Sequence, residues 1–470
     1  MIRGNAVDAI VVGAGPNGLA AALTLARAGL EVHVFEQSTV IGGGCRTEKW
    51  GDGYSADWGA AVHPMALASP FFQELGLAEK LEFRTPEISF AHPLEGGAAV
   101  AWRSLDRTEE DLASDGPGWR RLVEPMTRQI LTTAAAALGP PRALTTRPRQ
   151  ALLLGGATLR GYCRAQLRTR EGRSLLAGVI GHSVSPQPRL GASAAGVVLA
   201  ALAHSVGWPI PIGGSSAISG FLANELLERG GKIHTDTRVS DIRQLPHARA
   251  YFFDTSATDM ISIATDRIDP RYSRALGRMR YGNAVSKVDL ILSGPIPWAD
   301  ARLAQAGTIH MGGDDRDIRR AEAEVAQGRH AENPMIVLSQ PSTFDATRVP
   351  PGLHAIWSYA HVPAGSDLSQ QDAVLRSLER VAPGVRDLVV SARSTSAREI
   401  GIANPAMPGG DFASGAITTR QILARPSFVR SPWSAGNGIY LCSGASAPGP
   451  GVHGMGGYSA AQAALREEFM

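Results

Sequence analysis

The chain has 470 residues, 44% hydrophobic and 19% charged, with a formal net charge of +3. That length holds two or three domains, or two interleaved ones, and the composition is that of a globular protein with ample core. The mixed, nearly balanced charge excludes nucleic acid as the main ligand, and three cysteines without a CxxC pair (Cys45, Cys163, Cys442) exclude a zinc ribbon, a dithiol oxidoreductase and a disulfide-stapled domain.

The first apolar run, Asp8-Ala9-Ile10-Val11-Val12, reads as a strand and opens into Gly13-Ala14-Gly15-Pro16-Asn17-Gly18. Ala22, Leu25 and Gly29 follow at helical spacing, and a second strand, Glu31–Phe35, ends at Glu36. This βαβ frame fits a dinucleotide site, in which Gly13 allows the tight turn, Gly15 admits a pyrophosphate and Gly18 lets helix and strand pack closely. The helix N-terminus offers free N–H groups and a positive dipole end to phosphate. Glu36 stands where a carboxylate accepts from a ribose diol, and it disfavours the 2′-phosphate of NADP.

A second glycine cluster follows at Ile41-Gly42-Gly43-Gly44-Cys45-Arg46-Thr47, and then Gly53 to Pro64. Residues 68–78 read as a short helix. Residues 108–138 and 150–170 read as helices, with breaks at Pro140-Pro141 and Pro148. Leu190–Ser205 is an apolar helix whose low-polarity run, Leu190–Ala203, spans 14 residues. A membrane span needs about 20, so a buried or interfacial helix is expected. A helix over Ile218–Arg229 ends at Gly230-Gly231, before a strand at Lys232–Thr235. Tyr251–Thr255 reads as a buried strand with a polar end. Strands are expected at Ala284–Leu292, Thr308–Met311, Met335–Ser339 and Ala355–Val362, forming one wall of a substrate domain. The tail, Gly438–Gly444, enters a glycine-rich loop and a closing helix, Tyr458–Glu468, repeating the phosphate-facing logic of the N-terminus.

The fingerprint from Gly13 to Glu36, the Gly42-Gly43 pair with Thr47, and the segment from Leu441 to Ala460 together resemble the phytoene dehydrogenase-related flavoproteins, within the amine oxidase and phytoene desaturase superfamily. The resemblance covers nearly the whole chain. It implies an α/β fold: a Rossmann-like FAD-binding domain interleaved with an α+β substrate domain carrying a mixed sheet and a helical cap. The expected parts are residues 1–78, 211–275 and 401–470 for the FAD domain, and 79–210 and 276–400 for the substrate domain.

The resemblance also implies bound FAD. Gly13, Gly15, Pro16, Asn17 and Gly18 would face the pyrophosphate, with Glu36 and Gln37 at the adenosine ribose. Gly43, Gly44, Cys45 and Arg46 would line the pyrophosphate and ribityl path. Gly59, Ala60 and Ala61 would lie near the flavin ring, and Val239 would hold the adenine through its backbone. Gly444 and Val452, His453, Gly454 and Met455 would close over the ribityl chain and isoalloxazine. In the amine oxidases an arginine follows the glycine pair directly. Here Gly44 takes that place and Arg46 comes two positions later. Pro450 replaces a glycine of the tail and removes an N–H donor.

A flavin carries the redox chemistry, and hydride transfer from an apolar substrate needs a shaped, dry pocket. No Ser-His-Asp elbow, HExxH or metal-spaced histidine set is present in the sequence, and no metal is expected. His63, Lys287 and His453 are the candidate catalytic residues. His63 closes the segment under the ring or else bonds backbone, and His453 sits in the flavin loop or shapes it. Lys287 and Asp289 share one face of a strand, either toward the flavin or toward solvent. Gly213-Gly214 and Gly230-Gly231 lack the context of a second dinucleotide site, so oxygen, a quinone or a carrier protein is the expected electron acceptor. The expected function is FAD-dependent hydride transfer or desaturation on a largely apolar small molecule. An amine oxidase, a redox-neutral isomerase or cyclase using reduced FAD, and a flavoprotein scaffold are the alternatives. A cytoplasmic monomer or homodimer is expected, with peripheral membrane contact at most.

Overall fold

A computed structural model of the chain describes residues 7–51, 53–140, 142–164, 166–429 and 431–470. Pro141, half of one expected break, lies outside the described residues. In chain order the strands are β1 (Val7–Val12), β2 (Val32–Phe35), β3 (Thr47–Trp50), β4 (Tyr54–Asp57), β5 (Phe83–Arg84), β6 (Ile88–Leu94), β7 (Gly97–Trp102) and β8 (Ile210–Pro211). They continue as β9 (Lys232–His234), β10 (Ala248–Phe253), β11 (Ala284–Leu292), β12 (Ala306–Met311), β13 (Ile336–Ser339), β14 (His354–Val362), β15 (Val389–Thr395) and β16 (Ile439–Leu441). The longer helices are α1 (Pro16–Arg27), α2 (Gly116–Thr127), α3 (Pro148–Cys163), α4 (Arg170–Gly181), α5 (Leu190–Ala203), α6 (Ser216–Leu227), α7 (Asp315–Ala326), α8 (Gln371–Val381) and α9 (Met455–Glu468).

One sheet is parallel throughout, in the order β16-β10-β1-β2-β9. Its strands β1, β10 and β16 are short, largely apolar and buried runs, as strands covered on both faces must be, whereas the edge strand β9 is polar and partly exposed. On one face, α1 and α9 bury alanine against alanine, together with α6. Pro16 at the first position of α1 presets its φ. The strands of this sheet come from the beginning, the middle and the end of the chain, so the sheet is assembled from three separate segments. β1 lies between β2 and β10, which reach it from opposite sides, and the crevice outside the C-terminal ends of such strands is where α/β sheets bind ligands.

The second sheet runs β15-β11-β14-β13-β12-β6-β7, parallel only where β12 meets β6. The span 79–210, in which the sequence predicts helices over 108–138, 150–170 and Leu190–Ser205 and no strand, also contributes β5, β6 and β7, and two of these extend the second sheet. Alternation sorts the sheet's side chains onto two faces. Val288, Leu290, Ile336, Leu338 and Ile356 bury against α8. The opposite face carries Lys287, Asp289, Trp357, Tyr359, Val337 and His310, which register places side by side across the strands. The helical layer of α2, α4 and α5 packs around Trp119 and Trp208 against Phe90 at the far end of the sheet. The helix expected over 68–78 is broken in two, Pro70–Glu74 and Leu77–Lys80, by Gly76 at φ 65°.

Candidate functional site

The first loop of the site follows β1. Gly13 adopts φ 100°, which a side chain tolerates poorly. A Cβ there would stand 2.6 Å from the Asp254 carbonyl, and one at Gly18 would stand 2.1 Å from the Gly13 carbonyl. At Gly15 the nearest atom is Asp254 Oδ2, 2.5 Å from the position of a Cβ. The space that Gly15 leaves is thus taken by a carboxyl group from the end of β10. Glu36 closes β2 with its carboxylate accepting from Ala14 N–H (2.7 Å) and Ser38 N–H (2.8 Å). Those bonds fix its orientation and leave lone pairs for a ribose diol. Gln37 beside it is exposed, and Val239 is buried in the loop after β9.

The second loop packs onto the first. Gly42 N–H donates to the Ala14 carbonyl (2.8 Å), and Gly43 lies over Gly15, where a Cβ would be 3.3 Å from its Cα. Arg46 folds back: Nη1 donates to the Gly43 carbonyl (3.3 Å), Nε pairs with Glu48 (2.9 Å), and the guanidinium lies 4.2 Å over the Trp58 ring. An arginine two places late thus still returns its charge to the glycine pair. Cys45 is buried with Sγ against the Ser215 carbonyl (3.3 Å). Ala60 N–H donates to the Gly44 carbonyl (3.0 Å), and a Cβ on Gly59 would strike that same carbonyl at 2.4 Å. Gly44 and the segment 59–61 are therefore stacked backbone against backbone.

The third loop ends in α9. Gly454, at φ 65°, turns the chain into the helix, and His453 Nδ1 accepts from Met455 N–H (3.0 Å). Ser69 Oγ donates to the His453 carbonyl (2.5 Å). Val452 is partly buried just before it. The Gly444 carbonyl accepts from buried Arg425 Nε (2.7 Å). Gly456 and Gly457 bring α9 onto the start of α1; a Cβ on Gly457 would lie 1.8 Å from the Asn17 carbonyl. The positive ends of two helices therefore converge, and neither has an acidic residue in its first turn. Asn17 Oδ1 is buried between them without a partner. Two convergent helix N-termini, a cradle whose closest approaches are made by glycines and an anchored ribose-facing carboxylate fit the diphosphate and ribose of FAD. The residues that would hold it are Gly13 to Gly18, Glu36, Gly43 to Arg46 and the start of α9.

Between this cradle and the substrate sheet lies a buried ionic clasp. Asp57, at the end of β4, pairs with Arg348, and both side chains are wholly buried. Its Oδ1 also accepts from Thr47 Oγ1 (2.7 Å) and Ser215 N–H (2.8 Å). A buried pair fixes geometry, and removal of one partner would strand a charge. His63 is 2% exposed, with Nε2 2.8 Å from Ser215 Oγ. Ser215 donates its own proton to the Ala60 carbonyl, so His63 Nε2–H must donate to Ser215. Nδ1 is then a bare acceptor, and it has no partner. Burial pushes the imidazole down to about 4, which keeps it neutral.

Lys287 and Asp289 form an ion pair on the inner face of the sheet, with Arg393 Nη2 3.5 Å from Asp289 Oδ2. The pair is buried, not on a solvated face. Burial pushes the Lys287 ammonium down and the Asp289 carboxyl up, and the charge of each partner opposes the shift of the other. Trp357 and Tyr359 cross edge to face at 5.3 Å beside it, and Phe412 reaches Tyr359 at 5.9 Å. Tyr359 stacks on His361, whose Nδ1 pairs with buried Glu322. Trp58, Ala61, Val285, Val337, Trp357 and Tyr359 belong to one apolar cluster, which joins the loop of residues 59–61 to the sheet. His63 and Lys287 both feel the Asp57 carboxylate and so belong to this junction. His453 stands at the start of α9. Sequence reasoning missed Asp57, Arg348, Arg393, Arg425 and Asp254; only Asp254 gave a signal, as the polar end of a strand.

The profile of the flavin containing amine oxidoreductase family matches residues 17–268. Pyridine nucleotide-disulfide oxidoreductase domain-containing protein 2 of Mus musculus is 26% identical over 555 aligned positions, spanning 98% of this chain and 93% of that protein. An oxidoreductase from Methanosarcina mazei superposes with a TM-score of 0.64 at 16% identity, over 98% of this chain and 100% of its own. Cyclohexylamine oxidase from Brevibacterium oxydans superposes with a TM-score of 0.58 at 16% identity, over 99% of this chain and 100% of its own. At these identities the two structures share the fold.

Proposed function

The chain belongs to the flavin containing amine oxidoreductase family and is an FAD-dependent oxidoreductase, and from that footing we propose that it oxidises a largely apolar, uncharged small molecule by hydride transfer. The observation that carries this reading is the apolar cluster continuous from Ala61 to Trp357 and Tyr359. Such a wall orients a substrate by shape and excludes water. FAD, when bound, supplies the two-electron acceptor. The protein's part is to hold the substrate C–H against it and to accept the proton released alongside the hydride. Lys287 is paired with Asp289 at that wall, and His63 Nδ1 is a bare base.

A cationic amine fits less well, because the carboxylates of this face, Asp289 and Glu48, already lie against Lys287 and Arg393. Without a second dinucleotide motif, oxygen, a quinone or a carrier protein takes the electrons. Anaerobic mixing of the holoprotein with neutral polyenes or isoprenoid alcohols is expected to bleach the flavin, and simple aliphatic amines are expected not to. Bleaching by amines alone, with peroxide release in air, would replace this reading by an amine oxidase.

Among the described residues no helix is long and apolar enough to cross a membrane. The outward face of α3 nevertheless presents Leu152 (78% exposed), Leu159 (57%) and Tyr162 (37%). Residues 142–170 hold seven arginines and no acid. Apolar residues on a basic helix suit an anionic lipid surface, and such a charge opposes self-association through this face. We propose that α3 rests on such a surface. Co-sedimentation with phosphatidylglycerol vesicles, weakened by salt and by L152S/L159S, is the expected result. Equal recovery with neutral vesicles, or no effect of the two substitutions, would contradict it.

A further inference from the structure

Asp254 follows β10 and stands at the centre of the dinucleotide turn. Its backbone carbonyl and Cβ fill the space beside Gly13, and its Oδ2 fills the space beside Gly15. The same Oδ2 accepts from Gly18 N–H at 2.9 Å. Gly15 and the first amides of α1 are the features such a turn presents to a phosphate. A carboxyl oxygen of the protein therefore stands among the groups that such a turn presents to a phosphate.

We propose that Asp254 is a positioning residue of the FAD site, which keeps the turn in shape as a carboxylate and takes up one proton when the cofactor's pyrophosphate arrives. The inference rests on the FAD reading above. The pyrophosphate is a dianion, and a carboxylate against it in a partly buried site is strongly disfavoured. The balance is simple: the carboxylate and one solvent proton give the neutral carboxyl, whose O–H then donates to a phosphate oxygen.

The surroundings agree. The β1–α1 turn and the first turn of α9 bring no charged side chain. β2 brings Glu36, a like charge, and β16 brings the Cys442 thiol, which burial holds protonated. Burial foremost, with Glu36 adding to it, pushes the Asp254 carboxyl up to about 7, against the pull of the Gly18 and Gly15 amides. The proton is thus available at little cost near neutral pH.

The test is FAD binding to apoprotein, followed by isothermal titration calorimetry in two buffers of different ionisation heat. Wild type is expected to take up close to one proton per FAD above neutrality, and its Kd to rise roughly tenfold per pH unit there. Asp254→Asn, which can still accept from Gly18, is expected to take up none, to bind with a flat pH profile, and to bind more tightly than wild type in alkali. A wild type with no proton uptake and a flat profile would overturn the proposal, as would Asp254→Asn keeping the wild-type slope. Wild-type calorimetry decides the matter even if the variant does not fold. A wild type that binds no FAD at any pH would overturn the cofactor reading itself, a separate and recognisable failure.

Discussion

Gly457→Ala is expected to yield a destabilised protein without cofactor. The new methyl would stand 1.8 Å from the Asn17 carbonyl and 2.7 Å from the Ala21 nitrogen. Both are backbone atoms of α1, so no rotamer relieves the clash and the two helices must separate by more than an ångström. Overpacking of this kind costs about 1–3 kcal/mol or more. Separation also displaces the two convergent helix ends that would hold the pyrophosphate, and a misplacement of roughly 1 Å costs on the order of a hundredfold in function. The contrasting change is Gly155→Ala on α3, where a Cβ meets nothing within 4 Å. That substitution is expected to stabilise by about 0.5–1 kcal/mol, because alanine outranks glycine in a helix. Thermal melts and FAD titrations of both variants check the pair. Stoichiometric, tight FAD in Gly457→Ala would contradict the account of how α1 and α9 meet.

Acid is expected to unfold the protein well above the usual carboxylate range. Burial pushes His63, His92, His204 and His453 down to about 4 and His182 to about 3, and it holds His310 well below its ordinary value. The ordinary value is about 6.5, so these groups bind protons in the unfolded chain and not in the fold. The stability they contribute is therefore fully present above about pH 6.5 and is lost as pH falls from there toward about 4. Each contributes about 1.4 kcal/mol per pH unit within that window, and together they outweigh a typical folding free energy of about 5–15 kcal/mol within one or two units. Asp254 has the opposite sign: its raised value gives stability that is present in acid and lost as pH rises through about 7. Circular dichroism against pH is expected to show cooperative loss of structure between about pH 5 and 6, with uptake of several protons. A protein still folded at about pH 4 would show that the buried histidines are not the controlling groups.

The parts that were legible in sequence are those whose partners lie near in the chain. Gly13, Gly15, Gly18 and Glu36 form one contiguous βαβ unit, and Gly42 to Thr47 follow it directly. The substrate sheet was legible where strands alternate, so Lys287 and Asp289 were placed on one face. Which face is buried depends on Trp357, Tyr359 and Arg393 from neighbouring strands, and alternation alone is silent on that. β6 and β7 were hidden because a proline and a glycine turn interrupt them and because β6 pairs with β12, far along the chain. Asp254 meets Gly18 across 236 positions, and Arg348 meets Asp57 across 291. Such contacts leave no local pattern, although they fix the turn and join the two domains.

The central claim, that three distant glycine loops close on one FAD, is tested most directly by the visible spectrum and cofactor content of the purified protein. One FAD per chain, with a flavin band that shifts on binding and is lost with Gly457→Ala, is the result predicted here. A colourless, folded protein that takes up no added FAD would contradict it.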